Sequence, residues 1–257
     1  MQSTWVYVPA PRPRARMRLF CFPYAGGGAA IYRNWGAYLP PDIELCAVRL
    51  PGREGRFTES PPRRIEALLA LLVEGLVPHM DRSFGFFGHS LGALVAFELA
   101  RVLRRQGRPT PMHVFVSGRR APNLADRDEP DRPPLHTRPD AELLDELRRL
   151  EGTPSSVLAA SELIELMLPI VRADFEIGET YEYRARDPVD CPITAFGGLG
   201  DEGVSQDCVA AWRDQTRSRF VQHMLPGSHF FLHTMHGSIL DVIAHELGVG
   251  SKRQAHQ

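Results

Sequence analysis

The sequence predicts an α/β protein, a mostly parallel central sheet with helices on both faces. Three observations carry this expectation. Short apolar runs of strand length alternate with longer stretches whose apolar residues recur at helical spacing. One junction passes from the apolar run Ser83-Phe84-Gly85-Phe86-Phe87 into the helical run Ala93 to Ala100 through Gly88-His89-Ser90-Leu91-Gly92. One segment, about 119–188, interrupts the alternation and has no strand pattern. That is too long for an ordinary connection between core strands.

Taken in order, the strand expectations are Met17–Phe22, Ile43–Arg49, Phe84–Gly88, Met112–Ser117, Ile193–Gly197 and Phe220–Leu225. Each is a short run rich in Phe, Ile, Val, Leu or Cys, as strands buried on both faces require. Helices are expected over Ile65–Val77, Leu91–Gln106, Val204–Thr216 and Ile239–Leu247. In the third, Val209, Ala210 and Trp212 share an apolar face among Gln206, Asp207, Arg213 and Asp214. The insertion opens with Pro- and Asp-rich sequence from Ala121 to Pro139, then predicts amphipathic helices over Ala141–Leu150 and Ser161–Phe175. Such an insertion is expected to lie over a site as a lid. Its Leu143, Leu147, Leu163, Leu166 and Met167 would line a channel to that site, and the small Ala159-Ala160 would tune its length.

The 257 residues suit one domain spanning 1–257, and an apolar share of 43% is enough for a sizeable core. A net charge of -1 gives no polyanion-binding signature, so nucleic acid is not an expected partner. Cys21, Cys46, Cys191 and Cys208 are widely spaced, with neither a metal-site spacing nor a disulfide framework. There is no cationic leader into an apolar segment and no apolar stretch long enough to span a bilayer. The expected protein is soluble and cytoplasmic, with no membrane partner and no resident metal or cofactor.

A G-x-S-x-G pentapeptide between strand and helix is the nucleophile elbow of α/β-hydrolases. Ser90 would sit on a strained turn, and a side chain two residues to either side would collide with the strand or the helix start. The helix after it points free N–H groups at the place where negative charge develops. A serine needs a base, and the base needs an orienting acid. Chain order in this fold is Ser, acid, His. His229 is best placed for the base, just after the last strand in Leu225-Pro226-Gly227-Ser228-His229. His223 falls inside the strand, His233 and His236 lack the turn, and His245 lies in the terminal helix. His89 adjoins the nucleophile but points elsewhere. Asp201 directly follows the strand Ile193–Gly197, with Glu202 as its neighbouring rival; Asp187 and Asp190 fall at the wrong end of that strand. Asp201 could instead cap the next helix.

An oxyanion hole needs two preorganised N–H groups. Leu91 supplies one, as the residue after the nucleophile. The other should come from Phe22-Pro23-Tyr24-Ala25-Gly26-Gly27-Gly28-Ala29, with Ala25 the chosen donor and Gly26 the alternative. No Gly-Lys-Ser/Thr follows the glycines, so they do not read as a phosphate loop.

With those residues in place, the chain resembles the discrete type II thioesterases of polyketide synthase and nonribosomal peptide synthetase assembly lines. The matching motifs are Cys21 to Gly28, Leu50-Pro51-Gly52-Arg53-Glu54, Phe87 to Ala93, Val116 to Pro122, Leu168 to Phe175, Gly197-Gly198 with Asp201, and Pro226 to Phe231. The resemblance implies that Ser90, Asp201 and His229 form the triad and that Ala25 and Leu91 form the oxyanion hole. It implies a substrate carried on the phosphopantetheine of an acyl or peptidyl carrier protein, and editing of misloaded or stalled groups. Tyr24 and Gly28 depart from the family, where histidine and serine are frequent. An ordinary carboxylesterase or lipase-like enzyme on the same fold remains an alternative, as does a catalytically idle carrier-binding module.

Overall fold

The computed structural model describes residues 4–124, 133–150, 161–185 and 187–249. Seven strands form one sheet: β1 (Val6–Tyr7), β2 (Met17–Phe22), β3 (Ile43–Val48), β4 (Ser83–His89), β5 (Val114–Ser117), β6 (Ile193–Gly198) and β7 (Phe220–Leu225). Their spatial order is β1-β3-β2-β4-β5-β6-β7. Every pairing is parallel except β1 with β3. The six expected strands therefore form, with ends shifted by a residue or two. The antiparallel edge strand β1 was not expected: two residues are too short to show a period.

Alternation along β2 explains the two layers of core. Phe20 and Phe22 point to one face, where they meet Phe86 and the helices α1 (Ile65–Leu76) and α2 (Leu91–Arg105). Leu19 and Cys21 point to the other and pack with Phe87, Phe115, Trp35 and the terminal helix α6 (His236–Glu246). Arg101, Glu98 and Tyr181 form a buried polar patch beside α2, through an Arg101–Glu98 ion pair of 2.6 Å and a Tyr181-to-Glu98 hydrogen bond of 2.8 Å.

The helix expected over Val204–Thr216 is shorter and divided. α5 covers only Gln206–Ala210, and a 3-10 turn continues from Ala211 to Gln215. The Ser205 hydroxyl caps α5 by accepting from the Cys208 N–H. Tightening to the 3-10 form carries Trp212 fully inside, where its indole donates to the Arg119 carbonyl at 2.8 Å.

Between β5 and β6 lie α3 (Asp140–Leu150) and α4 (Ser161–Glu179), with no strand among the described residues there. Leu143 and Leu147 do not face a channel. They join Leu135, Leu168 and Val171 in a small core of the insertion's own. Leu163 and Leu166 are half exposed, at 48% and 51%. Ala159 and Ala160 lie outside the described residues.

Candidate active site

The pentapeptide turns as its spacing requires. Ser90 has φ 54 and ψ -116, a conformation that L-residues rarely adopt, and it precedes the first residue of α2. The flanking glycines are forced by contact. A Cβ on Gly88 would lie 2.0 Å from the Gly92 carbonyl oxygen, and one on Gly92 would lie 2.2 Å from that of Phe22. The elbow is also tied down from its neighbour strand, since the Ser90 N–H donates to the Ser117 carbonyl at 2.8 Å. The Ser90 side chain makes no cap bond to α2.

β4, β6 and β7 deliver their residues to the same carboxyl edge of the sheet, the edge at which open α/β sheets take their ligands. The loops leaving β6 and β7 are zipped together, with Leu199 N–H on Leu225 O at 2.8 Å and Gly200 N–H on Gly227 O at 2.9 Å. This brings His229 Nδ1 to 2.7 Å from Asp201 Oδ2, with the carboxylate side chain only 4% exposed. His229 stays partly open, and its ring centre is 5.2 Å from that of His89, the residue before Ser90.

The contact with His229 and the capping contact of Asp201 do not compete, because each oxygen takes one. Oδ1 accepts from the N–H groups of Gly203 and Val204 at 3.0 and 3.2 Å, while Oδ2 faces His229. The carboxylate is thereby fixed at both ends. Glu202 is exposed beside it. Asp187 and Asp190 pair with Arg217 and Arg104 at the opposite edge of the sheet.

His89 is fully buried and shares a hydrogen bond of 2.9 Å with the Ser117 hydroxyl. Burial, then the nearby His229 and His233, push its pKa well down, so it adds no positive charge beside His229. Tyr24 is also buried, its hydroxyl 3.2 Å from His233 Nε2 and its ring against Phe230. Burial raises that phenol to about 12, so it stays protonated.

The glycine-rich loop after β2 forms a turn closed by the Gly27 N–H donating to the Tyr24 carbonyl at 2.9 Å. The Gly26 N–H donates to Asp174 Oδ2 at 2.8 Å, so it is occupied. Among the described residues the N–H groups of Ala25 and Leu91 make no such bond. Elsewhere, a cavity of about 250 Å³ between α1 and α2 is lined by Glu98, Arg101 and Tyr181, and none of Ser90, Asp201 or His229 borders it. Among the described residues no group of His, Cys, Asp or Glu is arranged to hold a metal ion, and no helix is long and apolar enough to cross a membrane.

A family model described as the thioesterase domain matches residues 17–247, from β2 to the end of α6. The chain belongs to the thioesterase domain family. It is 42% identical over 230 residues to the gramicidin S biosynthesis protein GrsT of Aneurinibacillus migulanus, covering 89% of this chain and 88% of that protein. It is 44% identical over 244 residues to a Brevibacillus parabrevis protein named linear gramicidin dehydrogenase LgrE, covering 94% and 91%. The glycine loop here runs into a four-residue 3-10 turn, Ala29–Tyr32, and not into the long helix of a dinucleotide fingerprint. Among solved structures, the type II thioesterase BorB from the borrelidin cluster superposes with a TM-score of 0.86 at 36% identity, over 96% of this chain and 99% of that one. This thioesterase is thus an α/β-hydrolase, and a hydrolase of the serine type.

Sequence reasoning singled out the loop and the elbow of this thioesterase but assigned no role to Arg53 or Asp174. These two side chains meet across 121 residues of sequence, with both carboxylate oxygens 2.8 Å from the guanidinium. No local period or spacing carries such a contact. The only signal was that each falls inside a motif matched to the family.

Proposed function

We propose that this thioesterase hydrolyses acyl thioesters held on the phosphopantetheine arm of acyl or peptidyl carrier proteins, clearing misloaded or stalled groups during polyketide or nonribosomal peptide assembly. The observation that carries the catalytic reading is the Asp201–His229 pair at 2.7 Å beside the strained Ser90 turn. Ser90 Oγ attacks the thioester carbonyl and passes its proton to His229 Nε2. Asp201 holds Nδ1–H and stabilises the imidazolium. The N–H groups of Leu91 and Ala25 receive the oxyanion. The C–S bond then breaks and the departing sulfur takes the proton from His229. A thiol pKa near ~8.5 makes this departure less dependent on protonation than loss of an alcohol. Water, deprotonated by His229, attacks the acyl-enzyme and releases the acid and Ser90.

Nucleophile, base and electrophilic donors in this scheme all come from the chain, and the only prosthetic arm is the substrate's own. A carrier-protein partner places the enzyme in the cytoplasm. The insertion 119–188 acts as the lid. Its half-exposed Leu163 and Leu166 discriminate by packing, where a methylene is worth only about 1–3 kcal/mol, so short acyl groups are broadly accepted. The test is hydrolysis of a panel of acyl groups loaded on carrier proteins, set against the matching oxygen esters. Turnover of short acyl carriers with slow ester cleavage is expected. Preference for the esters would point to a carboxylesterase. Strict selection of one elaborate acyl group would point to product release instead of editing.

A further inference from the structure

We propose that Asp174 and Arg53 are positioning residues that set the oxyanion hole, so that the insertion completes the catalytic machinery as well as covering it. The proposal rests on the assignment of Ala25 as an oxyanion donor.

The turn Tyr24–Gly27 has Gly26 at its third position with φ 74, while Ala25 is not among the residues with positive φ. Together with the Gly27-to-Tyr24 hydrogen bond this is a type II turn. In such a turn the first peptide group is held by the closing bond, and its N–H, that of Ala25, faces outward. The central peptide group has no partner within the turn. A glycine at the third position allows it to flip, since Gly is content with either sign of φ.

Asp174 removes that freedom. Its Oδ2 accepts from the Gly26 N–H at 2.8 Å, which fixes the central peptide. A flip would aim the Ala25 carbonyl at a carboxylate. The same Oδ2 accepts from Arg53 Nη1, Oδ1 accepts from Arg53 Nη2, and Nη1 also donates to the Gly27 carbonyl, all at 2.8 Å. Four peptide groups of the loop are therefore pinned, two by the turn's closing bond and two by this fork. Glu54 adds a contact from the other side, accepting from the Ala30 N–H at 2.9 Å from a backbone held at φ 51. Val171, one turn before Asp174 on α4, presses on Gly26 so closely that a Cβ there would lie 2.8 Å from it.

The ionic character is informative. The two side chains are only 6% and 3% exposed, and a buried ion pair is no better for stability than a well-packed apolar pair of the same volume. What an apolar pair cannot do is accept three N–H groups at fixed angles, as this carboxylate does. The geometry serves orientation, and the oriented object is the loop bearing the Ala25 N–H.

The experiment uses the full chain, a short acyl-pantetheine thioester and an alkyl trifluoromethyl ketone, which captures the serine as a tetrahedral oxyanion. Asp174→Asn should lower kcat on the order of 10²-fold, the scale of a lost oxyanion donor, with KM nearly unchanged. Affinity for the ketone should fall in step with kcat/KM. Arg53→Lys keeps the charge but loses the fork, and should move both readouts in the same direction. It decides the matter if Asp174→Asn does not fold. A lower Tm with kcat and ketone affinity intact would overturn the proposal. Ala25→Pro separates it from the reading beneath it: proline suits the second position of a type II turn, removes the N–H and sets its Cδ where the oxyanion would bind. If Ala25→Pro is crippled and the two clamp variants are not, the positioning role is wrong while the oxyanion hole stands. If Ala25→Pro is fully active, the hole has been placed on the wrong residue.

Discussion

Asp201→Asn tests the site more sharply than removal of the side chain, because the substitution preserves shape and reverses a single hydrogen-bonding polarity. Asp201 accepts at both ends, from Gly203 and Val204 N–H through Oδ1 and from His229 through Oδ2. An asparagine accepts at one end only. With its oxygen towards His229, the amide NH2 would face two backbone donors; the exposed Gly203 N–H can turn to water, but the buried Val204 N–H would be left unsatisfied at a cost of about 1–3 kcal/mol. With its oxygen towards the loop, both backbone bonds survive and the NH2 donates to His229 Nδ1. The second arrangement wins. It forces the histidine proton onto Nε2, the nitrogen that must be empty to take the Ser90 proton. The expected loss in kcat is about 10⁴-fold, close to 5.5 kcal/mol of transition-state stabilisation, with the fold and KM little changed. Thiol release from an acyl-pantetheine thioester, followed with a thiol reagent, measures it. A near-normal Asp201→Asn beside a crippled Glu202→Gln would transfer the role to Glu202. If both are benign, the acid is not at this strand end.

Ser90→Ala should remove about 10⁴–10⁶-fold of turnover and all labelling by a fluorophosphonate, with Tm nearly unchanged because the hydroxyl makes no cap bond. An adduct mapped to any other residue would sink the assignment. Gly92→Ala should destabilise by about 1–3 kcal/mol, since its Cβ would sit 2.2 Å from Phe22 O and 2.7 Å from Pro23 O, both backbone atoms. A urea midpoint equal to the parent's would show that this contact relaxes freely. Stability should fall with acidity through His113, buried against Phe115 and bonded to the Thr194 hydroxyl, whose pKa is pushed from 6.5 down to about 4 by burial and then by Arg219. The unfolded chain takes that proton first, so the contribution is complete above pH 6.5 and is lost as pH falls towards 4, up to about 3 kcal/mol. Urea unfolding at pH 7.5 and 4.5 should show the loss, and His113→Gln should flatten it.

What the sequence made legible was what is encoded locally. The strands and long helices announce themselves by period. Ser90 is marked by glycines that the structure shows to be sterically required, and His229 by the Pro-Gly turn that follows a strand. Asp201 and Glu202 could not be separated by position alone. Their burial separates them, and burial depends on how the β6 and β7 loops zip together. Likewise position alone leaves Ala25 and Gly26 as rival donors; the Gly26 N–H is engaged by Asp174, a partner 148 residues away, a contact that no local pattern carries. The late start of the helix expected over Val204–Thr216 has a local cause. Asp201 draws the Gly203 and Val204 N–H groups into a turn, and Ser205 then becomes the cap. Leu143 and Leu147 have the spacing of a channel face, yet the insertion is large enough to need a core of its own.

The clamp also limits how the proposed lid can work. α4 contains Pro169, which has no N–H to offer the carbonyl four residues earlier, so the helix is weakest there. Downstream of it, Val171 and Asp174 are fixed to the oxyanion loop, Glu176 pairs with Arg63 at 2.9 Å, and Glu179 accepts from the Leu135 and His136 N–H groups at 2.7 and 3.0 Å. Swinging this half away would undo the contacts that hold the proposed oxyanion loop. Upstream, Leu163 and Leu166 are exposed and outside the insertion's small core. α3 is held to this same half, through Leu143 and Leu147 in one core with Leu168 and Val171 and through Asp140 against Arg172, so any opening that leaves the proposed oxyanion hole intact is confined to the part of α4 before Pro169. Entry of the substrate arm and orientation of the oxyanion donor are then assigned to opposite halves of one helix. Substitutions before Pro169 should change which acyl groups enter, and substitutions after it should change how fast any of them reacts.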